Sequence, residues 1–160
     1  MPAPSKAPAI NAELDNVMST SKTLPELMQR VVEKLNELML KYNWVGFYML
    51  EEAPGTEPVL VLGPYVGAMT PHTRIPLNQG ICGAAVSTGK TIVVDDVNSD
   101  PRYLACSVET KSEIVVPIFA NSKVVGELDI DSHFPAAFGF EDREFVEFCA
   151  QLVGKRLEQD

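Results

Sequence analysis

The chain is short of positive charge, histidine and cysteine, and each shortage closes off a class of function. Its 13 Lys and Arg face 22 Asp and Glu, for a net charge of −9. A nucleic-acid binder needs a basic face to displace counterions from phosphates, and docking on anionic lipid needs the same, so neither partner is expected. No apolar run approaches the roughly 20 residues of a membrane span. No apolar segment follows Met1-Pro2-Ala3-Pro4-Ser5-Lys6, so no secretory signal is expected. The two histidines, His72 and His133, are isolated, and neither has a metal-ligating neighbour at useful spacing, so no metal site is read. There is no glycine-rich phosphate loop and no serine–histidine nucleophile motif, and no cofactor is expected. Three cysteines, an odd count, do not make an extracellular disulfide framework. A reducing cytoplasm fits them better, and there a cysteine pair is more often redox-active than structural.

What is present suits one domain of 160 residues, 46% hydrophobic and 22% charged. Residues 1 to about 8 are rich in Pro, Ala and Ser and read as flexible, with a short helix near Ala12 to Met18. Thr23 and Glu26 have capping-box spacing, and Pro25 suits a first turn. Apolar residues then recur at helical spacing to about Tyr42. Trp44 to Leu50 and Val59 to Leu62 read as strands, the second stopped by Gly63-Pro64. Residues 65 to 77 read as an irregular lid or binding loop. A short helix is expected over Gln79 to Ser87, stopped by Gly89, and a strand over Thr91 to Val94. A second long loop covers 97 to 111. Strands Glu113 to Phe119 and Val124 to Ile130 flank a turn at Ala120-Asn121-Ser122-Lys123. A final amphipathic helix spans Glu141 to Leu157, with Phe145, Phe148, Cys149, Leu152 and Val153 inward. The expected class is α+β, with helices from both ends on one face of an antiparallel sheet.

Residues 78 to 132 concentrate the chemistry. Cys82 stands at the start of a helix, where unpaired N–H groups and the helix dipole favour a thiolate. Its bland alternative is a small packing residue. Cys106 lies in a polar loop after Pro101-Arg102-Tyr103, where packing is a less natural role. The two together suit a thiol reductase, which needs an attacking thiol and one to resolve it. Cys149 falls on an apolar helix face and reads as core. Glu127, Asp129 and Asp131 alternate and so share one strand face. Leu128 and Ile130 mark the opposite face as core, so the acid face is expected to be wet or functional. Glu113, on the neighbouring strand, can lie beside them. Close carboxylates hold an ammonium group, or keep one member protonated as an acid. Trp44 and Tyr48 share a strand face, as core or as an aromatic wall for a small apolar or cationic group.

These pieces resemble a family. Asn43-Trp44-Val45-Gly46-Phe47-Tyr48, Leu62-Gly63-Pro64-Tyr65, Gln79-Gly80-Ile81-Cys82-Gly83, Ala105-Cys106, Ser112-Glu113-Ile114-Val115-Val116-Pro117 and Leu128-Asp129-Ile130-Asp131-Ser132 are similar to motifs of GAF domains, and within them of the free methionine-(R)-sulfoxide reductases. The resemblance implies a central antiparallel sheet of about six strands, helices on one face and a loop-covered pocket on the other. It implies reduction of free methionine-(R)-sulfoxide, thioredoxin as reductant and a homodimer. It assigns Cys106 to attack on the sulfoxide, Cys82 as its partner thiol, Glu113, Asp129 and Asp131 to the substrate and its protonated sulfoxide, and Trp44 and Tyr48 to the pocket wall. The chain also departs from the pattern. Many members carry a third cysteine ten residues before Cys82, where this chain has His72. Arg102-Tyr103-Leu104 replaces the usual Gly-His-Ile, and Ser107 replaces an acid. Two other readings stand beside the enzyme: a GAF module that binds or senses a small molecule, and a structural module that dimerises through its terminal helices.

Overall fold

The computed structural model describes residues 3–104 and 108–159. Helices α1 (Ala3–Thr20) and α2 (Leu24–Leu38) lead into strands β1 (Trp44–Glu51), β2 (Val59–Val66) and β3 (Arg74–Pro76). Helix α3 (Gly80–Thr88) and strand β4 (Ile92–Val94) follow, then β5 (Ser112–Ala120), β6 (Lys123–Ser132) and α4 (Phe140–Gln159). The six strands form one antiparallel sheet in the order β3-β2-β1-β6-β5-β4. The fold is α+β, as the sequence suggests. No helix among the described residues is long and apolar enough to cross a membrane.

Period-2 burial sorts the sheet residues into two layers. Val45, Phe47, Ile114, Val116, Ile118, Leu128 and Ile130 pack under α1, α2 and α4. Trp44, Tyr48, Leu60 and Val115 face the other way and meet Ile81, Cys82, Ala85 and Val86 of α3. The helical layer is the ordinary core. The smaller layer beneath α3 holds the chemistry.

Local sequence explains most boundaries. The Thr23 hydroxyl accepts from the Glu26 N–H at 3.2 Å and starts α2. Glu26 Oε1 accepts from Lys22 N–H rather than from Thr23, so the capping box closes one residue early. The helix stops at Leu38, short of Tyr42, because Met39 turns extended and the Tyr42 carbonyl is taken by the Asn36 side chain at 3.0 Å. Tyr42 itself is buried, and its hydroxyl donates to Asp142 at 2.7 Å. The 1–8 stretch, expected to be flexible, is helical from Ala3. Pro4 falls in the first turn, where its missing N–H has no partner to lose.

Gly63-Pro64 does not stop β2, which runs on to Val66. The ladder shifts register between Gly46 and Tyr48, so Gly63 and Pro64 together stand opposite Phe47. A bulge of this kind accommodates a proline inside a sheet. Part of the 65 to 77 loop is also ordered as β3. The β5–β6 turn falls at Asn121 (φ 52°) and Ser122 (φ 66°), both left-handed as a two-residue hairpin turn requires. In α4 the buried positions are Val146, Cys149, Ala150, Leu152, Val153 and Gly154, while Phe145 and Phe148 are half-buried.

Candidate active site

Strand β6 carries Glu127, Asp129 and Asp131 on the face turned to α3, and its neighbours arrange them in rows. Asp131 lies between Trp44 on β1 and Glu113 on β5. Asp129 lies between Gly46 and Val115, and Glu127 between Tyr48 and Pro117. Glu113 therefore stands directly across from Asp131 and next to Asp129.

This face is not wet. Glu127 is fully buried, and Glu113, Asp129 and Asp131 are 5%, 5% and 3% exposed. Of the two expectations for this face, wet or functional, burial removes the first, because α3 roofs that part of the sheet. The glycine at position 83 lets α3 lie close against the end of β3, since a Cβ there would sit 2.6 Å from the Leu77 carbonyl oxygen. The Cys82 thiol, on α3, lies 3.5 Å from Asp129 Oδ2, to which it donates.

Burial and crowding decide the protonation states. Burial first, then the charges of Asp129 and Asp131, push Glu113 well above the usual carboxylate range. Glu127 is pushed well up by burial and by Asp129. Asp129 is also raised by burial, while hydrogen bonds from Glu113 and Cys82 oppose the rise. The cluster thus holds its protons more tightly than free carboxyls do, with Glu113 donating to Asp129. Cys82 changes character. Burial, followed by Asp129, Glu127 and Glu113, raises its thiol well above the ordinary value. The helix-start argument for a thiolate is overturned at this position: desolvation beside carboxylates outweighs the favourable end of a nine-residue helix.

The aromatic wall is fixed from several sides. A Cβ at Gly46 would collide with the Trp44 ring, so the indole lies flat along β1 only because Gly46 has no side chain. Trp44 stacks on Tyr65 (centroids 5.5 Å) and on Tyr48 (6.3 Å). Its Nε1–H donates to the Ala68 carbonyl at 2.9 Å, and the Tyr48 hydroxyl donates to the His72 carbonyl at 2.7 Å.

Tyr48, Cys82, Glu113, Asp129 and Asp131 line one cleft of about 350 Å³, counting its open mouth, with Thr70, His72, Ile75, Gly80, Ile81, Tyr103 and Leu104. Trp44 lines an adjoining hollow with Asn43, Ala68, Met69, Glu109, Thr110, Asp131 and His133, and the two hollows share Asp131. Cys106 lies outside the described residues. On one side of it Tyr103 and Leu104 line the cleft, and on the other Glu109 and Thr110 line the adjoining hollow. The sequence reading did not place Thr70, Tyr103 or the His72 backbone in the site. Nothing in the residue pattern could have shown that a loop carbonyl would receive the Tyr48 hydroxyl. Cys149 is fully buried in the helical core, away from this face.

The sequence profile of the GAF domain matches residues 23–157. Free methionine-R-sulfoxide reductase of Escherichia coli is 32% identical over 144 residues, 89% of this chain and 84% of that protein. This chain belongs to the GAF-domain free methionine-R-sulfoxide reductase family. The family's Saccharomyces cerevisiae member is 43% identical over 119 residues, 74% of this chain. The match spans 64% of the yeast protein's own length. The free methionine-R-sulfoxide reductase of Neisseria meningitidis, solved with its substrate, superposes with a TM-score of 0.84 at 35% identity. That match covers 92% of this chain and 85% of the other. The six-stranded sheet with its helical layer is the GAF fold.

Proposed function

We propose that this chain reduces free methionine-R-sulfoxide to methionine. The observation that carries the reading is the set of three buried acids, Glu113, Asp129 and Asp131, lining one cleft with Cys82 beside a stacked aromatic wall. A free amino acid offers an ammonium group for a carboxylate, and its sulfoxide oxygen needs a proton as the S–O bond breaks. A cluster that holds both charge and protons serves both needs.

In this scheme Trp44 and Tyr48 flank the substrate and Asp129 and Asp131 hold its ammonium. The Cys106 thiolate attacks the sulfoxide sulfur while Glu113 gives its proton to the oxygen. In the adduct so formed the hydroxyl passes from the substrate sulfur to the Cys106 sulfur: the Cys106 S–O bond forms as the substrate S–O bond and the transient S–S bond break, methionine leaves, and Cys106 is left as a sulfenic acid. The Cys82 thiol then attacks the Cys106 sulfur, a disulfide forms and water departs. Asp129, already accepting from Cys82 at 3.5 Å, takes the thiol proton and hands it on to the leaving hydroxyl. Thioredoxin returns both cysteines to thiols by exchange. With His72 at the place of a third cysteine, Cys82 is the internal resolver, and a cycle of this kind belongs in a reducing cytoplasm. Family membership supports the substrate class, and the raised Glu113 supports the acid role.

A stereospecific assay tests the reading. Purified protein with thioredoxin should consume the R epimer of free methionine sulfoxide, spare the S epimer and ignore sulfoxide within a peptide. Equal turnover of both epimers, or none with any thiol reductant, refutes it and leaves the ligand-binding module as the alternative.

A further inference from the structure

The face beneath α3 has a second property that sulfoxide reduction does not call for. Cys82 Sγ and one carboxylate oxygen each from Glu113 and Asp129 all lie within 4.8 Å of one another. In a tetrahedral zinc site, ligand bonds of about 2.0–2.3 Å put the ligand atoms roughly 3.3–3.8 Å apart. The Cys82–Asp129 pair, at 3.5 Å, already has that spacing. Small side-chain movements would bring in the third.

A separate observation points to an absent cation. Glu127 is fully buried against the same cluster, and the Cys82 thiol is the polar group its carboxylate meets there. Asp129 Oδ1 is buried without a partner. A buried acceptor without a partner is costly, and a divalent ion held at Asp129 would supply one. The donor set also selects among ions. Calcium and magnesium need six or more oxygens, whereas one thiolate with carboxylates suits a borderline-soft ion.

We propose that Cys82, Glu113 and Asp129 form a binding site for a divalent cation of the zinc class, with a fourth position open to the cleft. Binding releases the Cys82 thiol proton, and any proton held by the two carboxyls, to solvent. The bound ion occupies Asp129, assigned to the substrate ammonium, and Glu113, assigned as the proton donor, so it closes the site to substrate. That last step alone rests on the proposed function.

Cobalt(II) titration of the fully reduced chain tests the site, because cobalt replaces zinc and reports a thiolate ligand by near-ultraviolet charge-transfer absorption. The band should saturate at one equivalent and vanish when zinc is added. It should persist in Cys106→Ser and be lost in Cys82→Ser. Should Cys82→Ser lose its far-ultraviolet circular dichroism, Glu113→Gln gives the second reading: its cobalt affinity should fall by roughly tenfold or more. Absence of the band in the wild type, its survival in Cys82→Ser, or unchanged affinity in Glu113→Gln overturns the proposal. The measurement needs no turnover. A protein without reductase activity that binds cobalt through Cys82 upholds the site while refuting the reductase reading, and an active enzyme with no band does the reverse.

Discussion

Glutamine at position 127 isolates the electrostatics of the buried face. Glu127 has an ordinary value of 4.5 and is pushed well above it in the fold by burial and by Asp129. The folded state therefore holds this proton more tightly than the unfolded chain does. The stability linked to it is complete below 4.5 and is lost as pH rises toward the folded value. Each pH unit in that window removes about 1.4 kcal/mol for one proton. Glutamine is nearly isosteric and does not titrate, so Glu127→Gln escapes the loss. Relative to wild type it should gain about 2 kcal/mol between pH 4.5 and about pH 6, or roughly 4–8 °C in Tm for a domain of this size. Thermal unfolding of both proteins across that range measures it. The baseline difference at the acid end absorbs the local cost of the amide, so the change with pH is the quantity that matters. A constant Tm difference across the range would refute the reasoning and mean that Glu127 ionises freely in the fold.

The remaining predictions concern turnover and packing. Glu113→Gln and Asp131→Asn should each lower kcat/KM by roughly 10²-fold or more in the epimer assay, the scale of a lost proton donor or charge contact. Cys106→Ser should abolish turnover. Cys82→Ser should complete about one turnover and stall with thioredoxin, yet recover in part with dithiothreitol, and mass spectrometry after one equivalent of substrate should find the Cys82–Cys106 disulfide only in the wild type. Tyr48→Phe breaks the bond to the His72 carbonyl and should destabilise by about 1 kcal/mol in urea unfolding, with a rise in KM as the 70–73 loop loosens. Gly83→Ala drives a methyl into the Leu77 carbonyl and should cost about 1–3 kcal/mol by the same measurement.

Much of the fold was legible because its signals are local. The Thr23 cap, the Gly89 stop (φ 68°) and the Asn121-Ser122 turn each depend on a residue and its near neighbours, and each falls where the sequence places it. The failures at Gly63-Pro64 and at the end of α2 are tertiary. Gly63-Pro64 reads as a stop because a proline weakens a ladder, but the bulge opposite Phe47 absorbs it. The end of α2 falls at Leu38 rather than Tyr42, where Met39 turns extended, and Tyr42 is buried with its hydroxyl on Asp142, 100 residues away, a partner no local pattern reveals.

The candidate site divides along the same line. Alternation alone puts Glu127, Asp129 and Asp131 on one face, and the β5–β6 pairing then puts Glu113 opposite Asp131. What alternation does not contain is the roof. An acid row on a strand is wet or dry depending on what packs over it, and here that is α3, whose Ile81, Cys82, Ala85 and Val86 pack with Trp44, Tyr48, Leu60 and Val115. The same packing decides Cys82. At an exposed helix start the dipole would favour its thiolate by about 0.3–1 kcal/mol. Buried beside three carboxyls it meets desolvation and like charge, both of which favour the neutral thiol and act over the whole pH range where the acids ionise. A cysteine held neutral in this way is a poor first nucleophile. It can act after another thiol has been oxidised, when its proton has a carboxylate at 3.5 Å to receive it. The proposal that Cys82 resolves rather than attacks first therefore rests on its place among the acids.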